Sequence, residues 1–179
     1  MEVFVSKMNL VTEPLVDVVI EDDRWDAAGL EILAERAVRA VLAVQSLPET
    51  GLTLCIMGCS DARIAVLNGE FRGKEKPTNV LSWPSWDLSA DAEGGAPERP
   101  EIGTEAEPEP LGDMALAWET CQKEAEAAGQ PLADHVTHLI VHGTLHLLGF
   151  DHVRGGDGDR MEALEVSILA TLGLSDPYS

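Results

Sequence analysis

The chain has 179 residues, 45% of them hydrophobic, and a formal net charge of −20. That length suits one domain with a real core, and no apolar run approaches the ~20 residues of a membrane span. The acidic balance argues against a general nucleic-acid binder, which carries a basic footprint.

The N-terminal stretch "MEVFVSKMNLVTEPL" lacks the basic start, apolar run and small-residue cleavage site of a signal peptide. A cytoplasmic protein is expected, and Met8 is an alternative start. Residues 14–23 alternate as a strand. Residues 26–44 carry Leu30, Leu33, Val38, Val41 and Leu42 at helical spacing, with Pro48 after the end. Residues 52–58 read as a strand with Leu52, Leu54 and Ile56 on one side. Ser60 is placed to cap a short helix ending at Asn68–Gly69. Residues 78–84 form a strand closed by Pro84.

Residues 87–110 are rich in Pro, Gly and Glu and poor in large apolar side chains, which reads as a mobile acidic loop. A strand over 111–118 follows, then a polar helix from Glu119 to Ala128 ended by Gly129. Pro131 opens a helix through Leu148, stopped by Gly149. The loop "DHVRGGDGD" leads into a last helix whose Met161, Leu164, Ile168 and Leu172 make an apolar stripe. Strands and helices intermingle, so the expected class is α+β or α/β: one domain over 1–179 with one small sheet. Cys55, Cys59 and Cys121 lack framework spacing and read as reduced thiols.

All five histidines lie between residues 135 and 152. His142 and His146 are one helical turn apart and project from one face. Gly149 lets the chain turn back, so that His152 approaches the same point from the loop. Three imidazoles leave a fourth position for water, the pattern of a catalytic zinc. Nickel, copper or another divalent metal also suits three histidines. His135 and His138 read as helix histidines or as partners of the ligands, since a fourth protein ligand would close the site. In zinc peptidases a glutamate follows the first histidine and acts as base; here that position is Gly143, which leaves room for something bulky near the metal. A site without that base can still serve phosphodiester hydrolysis, which asks for activated water and cations around anionic oxygens. Arg63, Arg72, Lys74 and Lys76 supply a local basic cluster.

The blocks "LNGEFRGKEKPTNVLSWP" (67–84), "LGDMAL" (111–116), "HLIVHGTLHLLGFDH" (138–152) and "MEALEVSILATLG" (161–173) together resemble the YbeY family of endoribonucleases and rRNA maturation factors. The resemblance implies a single α+β domain with zinc held by His142, His146 and His152. It also implies single-strand RNA cleavage, maturation of the small-subunit rRNA 3′ end, and late ribosome quality control. The family's important arginine falls on Arg72, whose fork matches two phosphate oxygens. Its acidic residue falls on Asp113, expected to orient a ligand or position water; Asp151 has a weaker claim to the same role. Expected partners are rRNA in the immature small subunit, with a ribosomal protein or assembly GTPase beside it. Two other functions stay open at this point: a non-catalytic, zinc-stabilised assembly factor, and a metallohydrolase on a peptide or amide.

Overall fold

The computed structural model describes residues 14–179; the alternative start at Met8 lies outside them. The described elements run β1 (Val16–Ile20), α1 (Arg24–Ala27), α2 (Leu30–Val44), β2 (Leu52–Cys59), α3 (Asp61–Arg72), β3 (Val80–Pro84), β4 (Glu109–Ala117), α4 (Trp118–Ala128), α5 (Leu132–Leu147) and α6 (Gly155–Thr171). The strands form one mixed sheet in the order β1-β2-β4-β3. β1, β2 and β4 are parallel, and β3 runs antiparallel on the edge beside β4. The fold is α+β, as expected.

Alternation in the strands divides the core in two. Leu52, Leu54 and Ile56 of β2 and Met114 and Leu116 of β4 face the helical layer of α2, α5 and α6. Cys59, Ala115, Ala117 and Leu81 face the other way, where Ile64 and Leu67 of α3 cover them. α5 sits at the centre of the thick layer, with Val136, Ile140, Val141, Leu145 and Leu147 fully buried. A helix apolar around most of its circumference is a core helix, so whatever polar groups α5 carries are held on a rigid support.

Three boundaries depart from the sequence reading. The expected helix over 26–44 divides at Gly29, whose φ of 75° breaks the helical path. The separate turn α1 buries Trp25, whose Nε1 donates to the Cys59 carbonyl at 2.9 Å. α3 does not stop at Asn68–Gly69. The Asn68 side chain instead turns inward and donates to the Lys76 carbonyl at 2.9 Å, and the helix continues to a left-handed Gly73. That extra turn carries Arg72 to the free edge of β3. α6 starts inside the expected loop, because the acidic segment caps it. Gly156 N donates to a Glu93 carboxylate oxygen at 2.8 Å, and the Asp157 carboxylate accepts from Gly94 N at 2.8 Å.

The acidic segment has no helix or strand before Glu109, but it is tied at several points. Arg99 donates to the carbonyls of Gln45 and Ser46 at 3.1 and 2.8 Å. Arg154 donates to the Ala90 carbonyl at 3.0 Å, and Gly103 N to the Gly51 carbonyl at 2.9 Å.

Where this segment enters β4, the register with β2 slips: Thr53 pairs with Pro110 and Leu54 with Gly112. Leu111 is the extra residue of a β-bulge. Gly112 takes a φ of 143°, and a methyl group there would lie 2.2 Å from the Trp83 carbonyl oxygen. Gly112→Ala therefore combines backbone strain with overpacking and should cost about 3 kcal/mol. A lower melting temperature by roughly 6–12 °C would report it. Gly129→Ala, at a left-handed position with open space around it, should cost only about 1 kcal/mol.

Candidate metal centre

The helix end after α5 builds the site. Gly149 has a φ of 94°, and its N–H donates to the His146 carbonyl at 3.0 Å while Phe150 N donates to Leu145 O at 3.0 Å. This glycine-dependent reversal lays residues 150–152 back over the helix. His142, His146 and His152 each then present a ring nitrogen within 4.8 Å of the other two. His142 and His146 are partly buried, and His152 is exposed.

The neighbours of these rings decide their tautomers. His146 Nδ1 lies 2.9 Å from the Phe150 carbonyl oxygen, which can only accept. His146 therefore carries its proton on Nδ1 and turns the Nε2 lone pair outward. His142 Nδ1 is hydrogen-bonded to the Glu165 carboxylate, which leaves its Nε2 lone pair free as well. The two Nε2 atoms lie 3.0 Å apart. Facing lone pairs at that distance repel, and a shared divalent cation turns the repulsion into coordination. Burial holds His146 down at about 4, and a proton on His142 or His152 would push in the same direction, so its lone pair is available at neutral pH. The donor set thus fits a metal ion, and three imidazoles are a metal site with an open position.

Glu165 is buried at 1% exposure. Burial alone would raise its pKa, but His138, His142 and the Tyr178 hydroxyl outweigh it and hold the carboxyl at about 2. His138 Nε2 stands 3.7 Å from Glu165 Oε1, too far for a hydrogen bond, so His142 and Tyr178 make the direct contacts. A carboxylate behind a ligating imidazole fixes its orientation and raises its basicity. Neither Glu165 nor Tyr178 stood out in the sequence reading. The available signal for Glu165 was a charge one turn from both Met161 and Leu169 on the buried side of α6.

The three histidines open onto a cleft of about 790 Å³. Arg72 lines it, and its guanidinium donates to the Ser82 carbonyl at 3.1 Å across the edge of β3. Asp87, Asp151, His138 and Tyr178 line it too. Lys74 and Lys76 are exposed outside the lining. His135 is turned away: its Nε2 pairs with Glu124 at 2.7 Å and its Nδ1 with Gln130 at 3.2 Å.

Asp113 is not brought to this cluster. It projects from the sheet face opposite α5, exposed, in the row with Cys55 and Trp83. The bulge at Leu111 is the reason, since it shifts the alternation that follows. Gly143 also differs from expectation. It packs against β4, where a methyl group would lie 2.6 Å from Met114 Cε, so the position faces the sheet and opens no space beside the ligands.

The family model described as Endoribonuclease YbeY matches residues 17–173. The chain belongs to the YbeY family. A YbeY endoribonuclease of Cereibacter sphaeroides is 61% identical over 166 residues, covering 93% of this chain and 99% of that protein. One from Methylocella silvestris is 42% identical, covering 93% and 86%. A solution structure of a Thermotoga maritima protein shares the fold, with a TM-score of 0.52 at 17% identity over 92% of this chain and 99% of that one. Among the described residues of this YbeY chain, no helix is long and apolar enough to cross a membrane.

Glu165→Gln keeps the shape of the buried side chain and removes its charge. It should weaken divalent-metal affinity by roughly 10–100-fold, measured by competition with a chromophoric chelator. Unchanged affinity would show that Glu165 does not support His142.

Proposed function

We propose that this YbeY protein is a metal-dependent endoribonuclease that cuts single-stranded RNA in the cytoplasm. Its substrate in this reading is the 3′ end of small-subunit rRNA in the assembling ribosome, and its metal is one zinc ion on His142, His146 and His152. The observation that carries the reading is the shared cleft: three converging imidazoles and the Arg72 guanidinium line one opening.

When bound, such an ion supplies Lewis acidity, polarising an oxygen and bringing water at its open position to ionise near pH ~7. The chain's own residues do the rest. Arg72 takes two non-bridging phosphate oxygens with its fork and offsets the charge that grows on them. Glu165 and Tyr178 hold His142 in one orientation, and the Phe150 carbonyl holds His146. Asp87 and Asp151 are the carboxylates that line the cleft among the described residues. Asp113, on the opposite sheet face, has no part in this chemistry.

The peptidase alternative loses support from the packing of Gly143, because a glutamate there would be driven into β4 rather than toward the ligands. The net charge of −20 weakens capture of free RNA at ordinary salt. A strand already held on the immature subunit, with a ribosomal protein or assembly GTPase as the adaptor, avoids that difficulty.

The test uses metal-defined protein on an unstructured RNA and on immature small subunits. His146→Ala should abolish cleavage of both, and Arg72→Glu should lower it by roughly 10²–10³-fold. If both variants cut as well as the parent, the nuclease is a contaminant and the protein is a non-catalytic assembly factor.

A further inference from the structure

Trp86 is the one exposed tryptophan of the four. Trp25 is fully buried, with its ring edge on Trp118 at 5.0 Å, and Trp83 packs against Phe71 at 5.6 Å. Trp86 is 55% exposed and stands on the wall of the cleft that holds Arg72 and the histidines. Its backbone is nevertheless fixed on both sides. Ser85 N donates to the Leu111 carbonyl at 2.9 Å. Leu88 is buried under Gly149, so closely that a methyl group on that glycine would lie 2.6 Å from the Leu88 carbonyl carbon. The glycine that turns His152 toward its partners therefore also seats the Trp86 loop.

The electrostatics of the cleft show what such a ring is for. Among the described residues Arg72 is the one lysine or arginine in the lining, against the carboxylates of Asp87 and Asp151, in a chain of net charge −20. Charge alone gives an RNA strand little hold here. Proteins that grip unpaired strands stack bases on aromatic side chains, an interaction every base can make and salt barely screens. A rigidly mounted indole gives that contact at low entropic cost.

Resting on the ribonuclease reading, we propose that Trp86 is the stacking platform for an unpaired nucleobase beside the scissile phosphate, and that it sets the single-strand preference. A base locked in a duplex cannot offer its face to the ring. Trp86 is a specificity residue, outside the bond-breaking machinery.

The test is steady-state cleavage of an unstructured RNA decamer by metal-loaded protein, with a scan in which each base in turn is removed. Trp86→Ala should raise KM by about tenfold with kcat within about twofold, and Trp86→Phe should recover most of the loss. For the parent, one abasic position should raise KM similarly, and Trp86→Ala should be indifferent to that same lesion, as expected for coupled partners. An unchanged KM in Trp86→Ala, or equal sensitivity of parent and variant to every abasic position, overturns the platform and leaves the ribonuclease reading intact. A metal-loaded parent that never cuts the decamer overturns both.

Discussion

Two imidazole nitrogens 3.0 Å apart, each with its lone pair turned toward the other, are the constraint around which the rest of the molecule is arranged. Neither ring can relieve the repulsion by passing its outer proton across. His142 is bound behind by the buried carboxylate of Glu165, and His146 by the Phe150 carbonyl. The histidines are thus preset as donors. Their supports come from three parts of the chain: α6, the turn after α5, and the C-terminal Tyr178 on Glu165. A negative charge at 1% exposure is costly unless it is paired. Here its partners are a ligand and the hydroxyl that keeps that ligand aimed.

The fold serves this arrangement through packing. α5 is buried on most of its circumference, which fixes the orientation of the two histidines it carries. Gly149 does two jobs in one place: it ends the helix so that His152 returns, and it admits Leu88 against the backbone. The extra turn of α3 puts Arg72 over the edge of β3, on the wall of the cleft. One rigid helix, one glycine turn and one helix extension therefore assemble groups that are far apart in sequence.

The parts legible in the sequence were those governed by local rules. The four-residue step from His142 to His146, the glycine after the helix and the third histidine beyond it specified the cluster. The apolar stripe of α2 and the alternation of β2 specified the thick layer. Asp113 shows where local rules end. Counting by twos from Leu111 puts Asp113 on the core side, but the bulge makes Leu111 and Met114 share that side and turns Asp113 to the other. Nothing in "LGDMAL" announces the bulge, because it arises from pairing with β2. Glu165 was hidden for the opposite reason. Its carboxylate lies among apolar neighbours on α6, and only the meeting of α6 with α5 shows the charge to have a partner. The start of α6 was hidden likewise, since its cap comes from Glu93, far back in the acidic segment.

Membership of the YbeY family gives the site its context, and the preset imidazoles give it a physical basis that can be examined without any assay of RNA. The most direct measurement is X-ray absorption spectroscopy joined to elemental analysis, on protein purified without a metal column. One divalent ion per chain, bound by three imidazole nitrogens at about 2.0–2.1 Å and lost from the His146→Ala variant, is the predicted result. A chain that carries no stoichiometric ion, or an ion that stays bound after His146→Ala, would contradict it.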